Sequence, residues 1–237
     1  MGKMGEAGRR YVIVVDGPSG VGKSTVAKIL AEATGYCCLD TGALYRTVAW
    51  RALSRDISLY DESGLVGLCN GITMIREEVS GKIRIQADGE EIGDQIRSED
   101  MGMAASLVSR FPGVRRALLH LQRKAGESGG IIAEGRDMGT VVFPDADIKI
   151  FLDAEPAERA RRRLLELVDR GEKVDYEDVL NDIILRDEQD RNRTAAPLKP
   201  APDAVVLDTT HLTIGEVVDA LVNIVRSKVD QMRDSSL

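Results

Sequence analysis

Nowhere in this 237-residue chain do apolar residues run for the roughly 18 positions that a membrane span requires, so no transmembrane segment is expected. The first ten residues, MGKMGEAGRR, are polar and lack an apolar stretch. They are expected to be a frayed tail and not a secretory signal. Cysteine is scarce: Cys37, Cys38 and Cys69 cannot all pair within one chain. Two of them are adjacent in an apolar run, a spacing that suits neither a disulfide framework nor a zinc site. Reduced, buried thiols of a cytoplasmic protein are expected instead. Histidine is scarcer still, and His120 and His211 fall in no motif, so both are read as structural or surface residues. A positive charge excess is also missing. The net charge of −7 argues against general nucleic-acid binding. Internal repeats and low-complexity tracts are absent, and 43% apolar with 30% charged residues excludes collagen-like and disordered classes.

What is plentiful is arginine, which supplies 23 of the 32 basic residues. Its planar fork suits bidentate contact with phosphate. Short apolar runs alternate with helical periods along the chain. Strands are predicted at Tyr11–Asp16, Cys37–Asp40, Gly130–Glu134, Asp147–Leu152 and Ala204–Leu207. Helices are predicted over Lys23–Thr34, from Thr41 (as cap) to about Leu53, over about 99–110 and 113–125, from Pro156 to about Asp169, from Tyr176 to about Arg191, and from a Thr213 cap to about Met232. Two alternating runs around Ser80-Gly81 predict a hairpin inside an insertion of about 63–98. Three prolines between Ala195 and Pro202 exclude regular structure there. Alternating strands and helices predict a parallel α/β sheet covered on both faces, with ligands at the carboxyl ends of its strands.

Gly17–Ser24 reads GPSGVGKS and fills every fixed position of G-x-x-x-x-G-K-[ST], between a strand and a helix. Phosphate oxygens need converging backbone N–H donors, hence a tight glycine-containing loop. The helix that follows adds its positive N-terminal end. Lys23 is expected at the β and γ phosphates of a nucleoside triphosphate and the Ser24 hydroxyl at Mg²⁺. The chain has no N-K-x-D base-reading motif of a switch GTPase and no L-S-G-G-Q signature of a transporter ATPase. Asp61–Gly64 matches D-x-x-G, but in a polar loop and not directly after a core strand. A small kinase with its own acceptor site remains.

Three further segments follow predicted strands or lie on a predicted helix: Asp40-Thr41-Gly42-Ala43-Leu44-Tyr45-Arg46, Glu134-Gly135-Arg136-Asp137-Met138-Gly139-Thr140, and Arg186-Asp187-Glu188-Gln189-Asp190-Arg191-Asn192-Arg193. Together with the GPSGVGKST loop, in this order and over about residues 11–230, they resemble the bacterial-type cytidylate kinases. That resemblance implies a nucleoside monophosphate kinase fold, a five-stranded parallel sheet covered by helices in one domain over 11–237. The insertion at about 63–98 would serve monophosphate binding, and a helical lid would lie at about 154–190. It implies transfer of the γ-phosphoryl group of ATP to CMP or dCMP, with Mg²⁺, in a cytoplasmic monomer that needs no nucleic acid or membrane. The ATP-binding residues would be Gly17, Pro18, Ser19, Gly20, Val21, Gly22, Lys23, Ser24 and Thr25. The acceptor would be held by residues matching Thr41, Tyr45, Arg46, Ser106, Arg115, Arg136, Asp137, Arg186, Asp190 and Arg193, with Lys23, Arg136 and Arg186 acting on the transferring group. Ser24 stands where some members have glycine, Thr41 where others have serine, and Glu134 where some have aspartate.

The residues themselves admit other readings. Arg186, Asp190 and Arg193 share a helix face, which suits phosphate and ribose contacts but also a surface ion pair of a few tenths of a kcal/mol between Arg186 and Asp190. Asp137 suits the exocyclic amine of cytosine and equally a helix cap. Arg159, Arg161, Arg162 and Arg163 suit either a phosphate-closing lid or a solvated helix face balanced by Glu155, Glu158 and Glu166. A kinase for a different small acceptor and a non-catalytic nucleotide sensor are the rival functions; both keep the loop and neither requires the acceptor-side segments.

Overall fold

The β-branched runs form strands and the amphipathic ones helices, in the order the periods predict. The computed structural model describes residues 9–234. Its elements are β1 (Val12–Asp16), α1 (Lys23–Thr34), β2 (Cys37–Asp40), α2 (Thr41–Leu53), α3 (Glu62–Cys69), β3 (Ile72–Glu77), β4 (Lys82–Ala87), β5 (Glu90–Glu91), α4 (Glu99–Val108), α5 (Pro112–Gly126), β6 (Ile131–Gly135), β7 (Ile148–Asp153), α6 (Pro156–Asp169), α7 (Tyr176–Asn192), β8 (Val205–Asp208) and α8 (Ile214–Asp234). A single π-helical turn, Met138–Val142, follows β6. Of the expected N-terminal tail, residues 1–8 lie outside the described residues. Arg9 pairs with Asp147, and Arg10 reaches Glu78 at 2.8 Å.

Five parallel strands stand in the order β2-β6-β1-β7-β8. β1 is central and alternates its side chains between two packed faces. Ile13 and Val15 join Val26, Leu30, Ile150, Leu221 and Val225 under α1 and α8. Val14 joins Leu39, Ala133 and Met138 on the other side. A third cluster unites α2, α3, α4 and α5 around Leu44, Val48, Leu65, Val108 and Leu118. The α6–α7 hairpin has a small core of its own, made of Ala160, Leu167, Val179 and Ile183. Burying an aliphatic side chain of this size is worth about 1.5–3 kcal/mol, so the three large clusters dominate the fold.

The sheet is wider than the five strands expected. Among the described residues it has eight, because the inserted hairpin joins its edge. β4 pairs with β2 in parallel at Cys38 and Lys82, and β3 and β5 run antiparallel to β4. The Cys38 N–H donates to the Gly81 carbonyl at 3.0 Å. An isolated hairpin is marginal in water and β2 alone would present a bare edge, so fusing the two satisfies both.

Two helix starts also differ from expectation. Asp40, not Thr41, caps α2: its carboxylate accepts from Ala43 N–H at 3.0 Å. Thr41 is the first helical residue, and its hydroxyl donates to the Glu134 carbonyl at 2.7 Å. The D-x-x-G match at Asp61 is the start of α3, where the carboxylate accepts from Gly64 N–H at 3.1 Å. Thr213 does cap α8, in a reciprocal pair with Glu216.

Candidate active site

The loop after β1 takes its shape from glycine and from its neighbours. Gly17 has φ +153°, and a Cβ there would collide with the Leu152 carbonyl oxygen, so no other residue fits. α1 starts with no side chain on its first N–H groups and no acidic residue in its first turn. Those donors and the helix dipole are therefore free for an anion. Ser24 and Thr25 at the helix start are exposed. Lys23 is buried and donates to the Pro18 carbonyl at 2.6 Å. Burial, then the nearby Arg136 charge, pull its ammonium well below the ordinary lysine value.

A cleft of about 820 Å³ opens beside this loop. Ser19, Gly20, Gly22, Lys23, Ser24 and Thr25 line one end, while Gly17, Pro18 and Val21 lie beneath as the buried frame. The same cleft is lined by Thr41, Tyr45, Arg46, Ser106, Arg115, Arg136, Asp137, Arg186, Asp190 and Arg193. These ten come from α2, α4, α5, the turn after β6, α7 and the residue that ends α7. The fold brings together every residue the family resemblance pointed to on the acceptor side.

Arginines and carboxylates alternate across the cleft floor. Asp190 accepts from Arg136 Nε at 2.8 Å and faces Arg193 at 3.6 Å. Burial works against the charge on Asp190, but Arg136 and Arg193 outweigh it and hold its carboxyl below the ordinary value. Arg186 does not pair with Asp190. It lies 3.8 Å from Glu99, and burial together with Arg136, Arg46 and Arg163 lowers its guanidinium to about 10. The i, i+4 surface pair therefore does not form. Asp137 makes no capping hydrogen bond. It is ion-paired with Arg115 and stands 3.6 Å from Arg193. Arg115 lies 5.4 Å over the ring of Tyr45, a cation–π distance. Arg46 pairs with Asp40 at 2.7 Å, and Ser106 donates to Gln189 at 2.9 Å.

The arginines of α6 divide. Arg163 lines the cleft and pairs with Glu99 across it. Arg161 pairs with Glu158 at the surface, Arg162 binds the Thr209 carbonyl, and Arg159 is buried against Asp187. Sequence reasoning missed the residues that hold these groups in place. Ser109 accepts from Arg193 and offers its carbonyl to Arg115, yet sits in no motif. Glu99 is a single acidic residue at a helix start. Asp16 is masked by the strand it ends; its carboxylate accepts from Met138 and Gly139 N–H at 2.8 Å each. Asp187 lies inside the segment quoted above, where only its proximity to Arg186 gave a signal.

Several buried polar atoms have no hydrogen-bond partner, and among the acceptors one, Glu134 Oε1, lines the cleft. Burial, then Asp40, raise this carboxyl to about 6, and Lys23 and the Ser24 hydroxyl draw it back. An orphaned carboxylate oxygen beside an exposed hydroxyl fits a magnesium ion carried by a nucleotide. Among the described residues no group of three or more His, Cys, Asp or Glu is arranged to hold a metal by itself. No helix is long and apolar enough to cross a membrane among those residues.

A family model described as cytidylate kinase matches residues 13–227. A cytidylate kinase from Geobacter sp. (strain M21) is 46% identical over 220 residues, which is 93% of this chain and 94% of the relative. Cytidylate kinases from Salmonella arizonae, 47% identical over 92% of this chain and 96% of that one, and Aeromonas salmonicida, 48% identical over 87% and 90%, match similarly. A gluconokinase structure from Sinorhizobium meliloti 1021 overlaps 96% of this chain and 99% of its own at a TM-score of 0.48 and 16% identity, too low to add to the assignment. With the model match spanning nearly all the described residues and relatives near half identical over nine-tenths or more of their lengths, the chain belongs to the cytidylate kinase family.

Proposed function

We propose that this chain transfers the γ-phosphoryl group of ATP to CMP or dCMP, giving ADP and CDP or dCDP. The observation that carries the reading is the single cleft that joins the Gly17–Thr25 loop to the ten acceptor-side residues. The loop and the start of α1 bind the triphosphate through backbone N–H groups. Lys23 exchanges its Pro18 carbonyl for the β and γ phosphates, which also relieves its depressed basicity. Arg136 and Arg186, with Arg163 from α6, neutralise the transferring group. An acceptor phosphate oxygen bonds to the γ-phosphorus as the bond to the β–γ bridging oxygen breaks, and ADP leaves. That acceptor is already anionic, so no strong base is needed, and positioning and charge stabilisation carry the step. Ser24, with Glu134 and Asp40 nearby, would hold magnesium. That ion would supply positive charge to screen the phosphates.

Base choice rests on Asp137 and Arg115. A carboxylate has more acceptor sites than its two arginines use, so Asp137 also takes the cytosine amine. Arg115 donates to the ring nitrogen and carbonyl. Uracil turns a carbonyl toward Asp137, acceptor against acceptor, in a buried site where such a mismatch is severe. Residues of about 154–190, built on α6 and α7, act as the lid that excludes water, and the segment of about 63–98 frames the monophosphate side. The enzyme works as a cytoplasmic monomer; its three thiols are unpaired, as a reducing compartment keeps them.

A coupled ADP-release assay with Mg-ATP and CMP, dCMP, UMP, AMP or GMP tests the reading. Fast turnover with CMP and dCMP, little with the others and slow ATP hydrolysis without acceptor is the expected pattern. Rapid acceptor-independent hydrolysis, or turnover with none of the five, would overturn it.

A further inference from the structure

Arg159, one turn into α6, is the largest side chain fully enclosed by the protein, at 1% exposure. Each of its three nitrogens donates, in four hydrogen bonds. Nε reaches the Ala154 carbonyl at 2.8 Å, Nη1 the Ser19 carbonyl at 2.9 Å and Asp187 at 3.2 Å, and Nη2 the other oxygen of Asp187 at 2.6 Å. One guanidinium thus ties the end of β7, the phosphate loop and α7 together. Enclosing an ion pair in this way is an expensive means of joining two helices, and well-packed apolar side chains of similar size often do as well or better. An apolar pair, however, has nothing to offer a loop carbonyl.

Ser19 and Gly20 line the cleft, whereas Arg159 and Asp187 lie behind the loop and do not. In a trans peptide the C=O and the following N–H point in opposite directions. Holding the Ser19 oxygen against Arg159 therefore turns the Gly20 N–H away from α6, toward the cleft side of the loop. Packing reinforces this: a Cβ on Gly20 would lie 3.3 Å from both Arg159 Cβ and Ile183 Cδ1. The loop is backed by the roots of α6 and α7 and cannot relax in that direction.

We propose that Arg159 and Asp187 are positioning residues for the phosphoryl donor. They orient the Ser19–Gly20 peptide so that the loop's N–H groups converge on the ATP phosphates. They also pin both roots of the α6–α7 hairpin, which confines its closing motion to residues 160–186. The inference rests on the reading that Gly17–Thr25 holds those phosphates.

Arg159→Met strands the buried Asp187 and risks unfolding, so the nearly isosteric Asp187→Asn is the primary variant, with Arg159→Lys beside it and Lys23→Ala as the reference for the loop. Affinities for a non-hydrolysable ATP analogue with Mg²⁺ and for CMP are measured by calorimetry, with kcat, both KM values and melting temperature. Asp187→Asn is expected to weaken the ATP analogue at least tenfold and raise KM for ATP, with CMP affinity within about threefold of the parent; Asp187→Glu is expected to recover part of the loss. Variants that melt lower but bind the ATP analogue like the parent, while Lys23→Ala does not, make the pair purely structural and overturn the proposal. If Lys23→Ala also binds normally, the loop reading fails and takes this inference with it.

Discussion

Asp137 serves two buried arginines at once, Arg115 and Arg193, and is itself 3% exposed. Deleting its side chain would leave both guanidiniums without their shared anion, and breaking a buried pair from one side costs about 3–5 kcal/mol. A truncation therefore confounds folding with base choice. Asp137→Asn keeps the volume and one acceptor while it turns half of the group into a donor. That donor suits the uracil carbonyl and meets the cytosine amine donor to donor. The ratio of kcat/KM for CMP over UMP is expected to fall at least tenfold in Asp137→Asn, mainly through a raised KM for CMP. An unchanged ratio would remove Asp137 from base reading and leave it as a partner for the two arginines. Ser109 belongs to the same assembly through its hydroxyl on Arg193 and its carbonyl on Arg115.

At the scale of elements, the site depends on junctions between strand ends, and Asp16 makes one of them. It ends β1 and accepts from the first two N–H groups of the π-helical turn after β6. Burial raises its carboxyl from 3.8 to about 6, against the opposing pull of those two hydrogen bonds. A carboxyl raised on folding binds its proton more tightly in the native state, so it favours folding at low pH. That contribution is lost as pH climbs from about 4 through about 6, by up to about 3 kcal/mol. Urea unfolding of the parent and of Asp16→Asn across pH 4–7 checks this: the parent should lose stability relative to the variant over that window. A constant difference would show that Asp16 titrates normally. The strands joined at such junctions were readable from their β-branched runs, and so were the phosphate loop, the helix periods and the capping pair at Thr213 and Glu216. The hairpin of β3 and β4 was readable too, but its fusion to the sheet was not, because pairing of Cys38 with Lys82 is a contact between two segments that local alternation cannot register. Thr41 was misread as a cap for a related reason: Asp40 and Thr41 are both good capping types, and only the Glu134 carbonyl lying in reach decides which one turns inward. The residues proposed to hold the acceptor were pointed to by the family resemblance, while their supports Ser109, Glu99 and Asp16 were not, since each is a common residue whose role arises from what the fold sets against it.

Across the whole molecule, α4 meets α7 where Ser106 donates to Gln189, and from the start of α4 Glu99 reaches over the cleft to α6. Its carboxylate pairs with Arg163 of α6 and lies 3.8 Å from Arg186 of α7. Arg186 has few other anions to meet: Arg136, Arg46 and Arg163 all press on it, and its Nε is buried without a partner. In the proposed reaction these arginines meet phosphate oxygens, so Glu99 and the substrate compete for the same positive charge. Without the carboxylate, Arg163 and Arg186 repel each other more strongly and draw an external anion more tightly. Such a half-buried pair is worth up to about 1 kcal/mol. Glu99→Gln should accordingly lower KM for CMP about two- to fivefold and make sulfate a stronger inhibitor by a similar factor. Product leaves the same arginines, so kcat should stay level or fall. The opposite result, a higher KM with unchanged sulfate inhibition, would mean that Glu99 orients the two arginines for phosphate and does not compete with it. The parent's salt dependence separates the cases further: a displaced internal carboxylate weakens the sensitivity of CMP binding to ionic strength, and Glu99→Gln should steepen it.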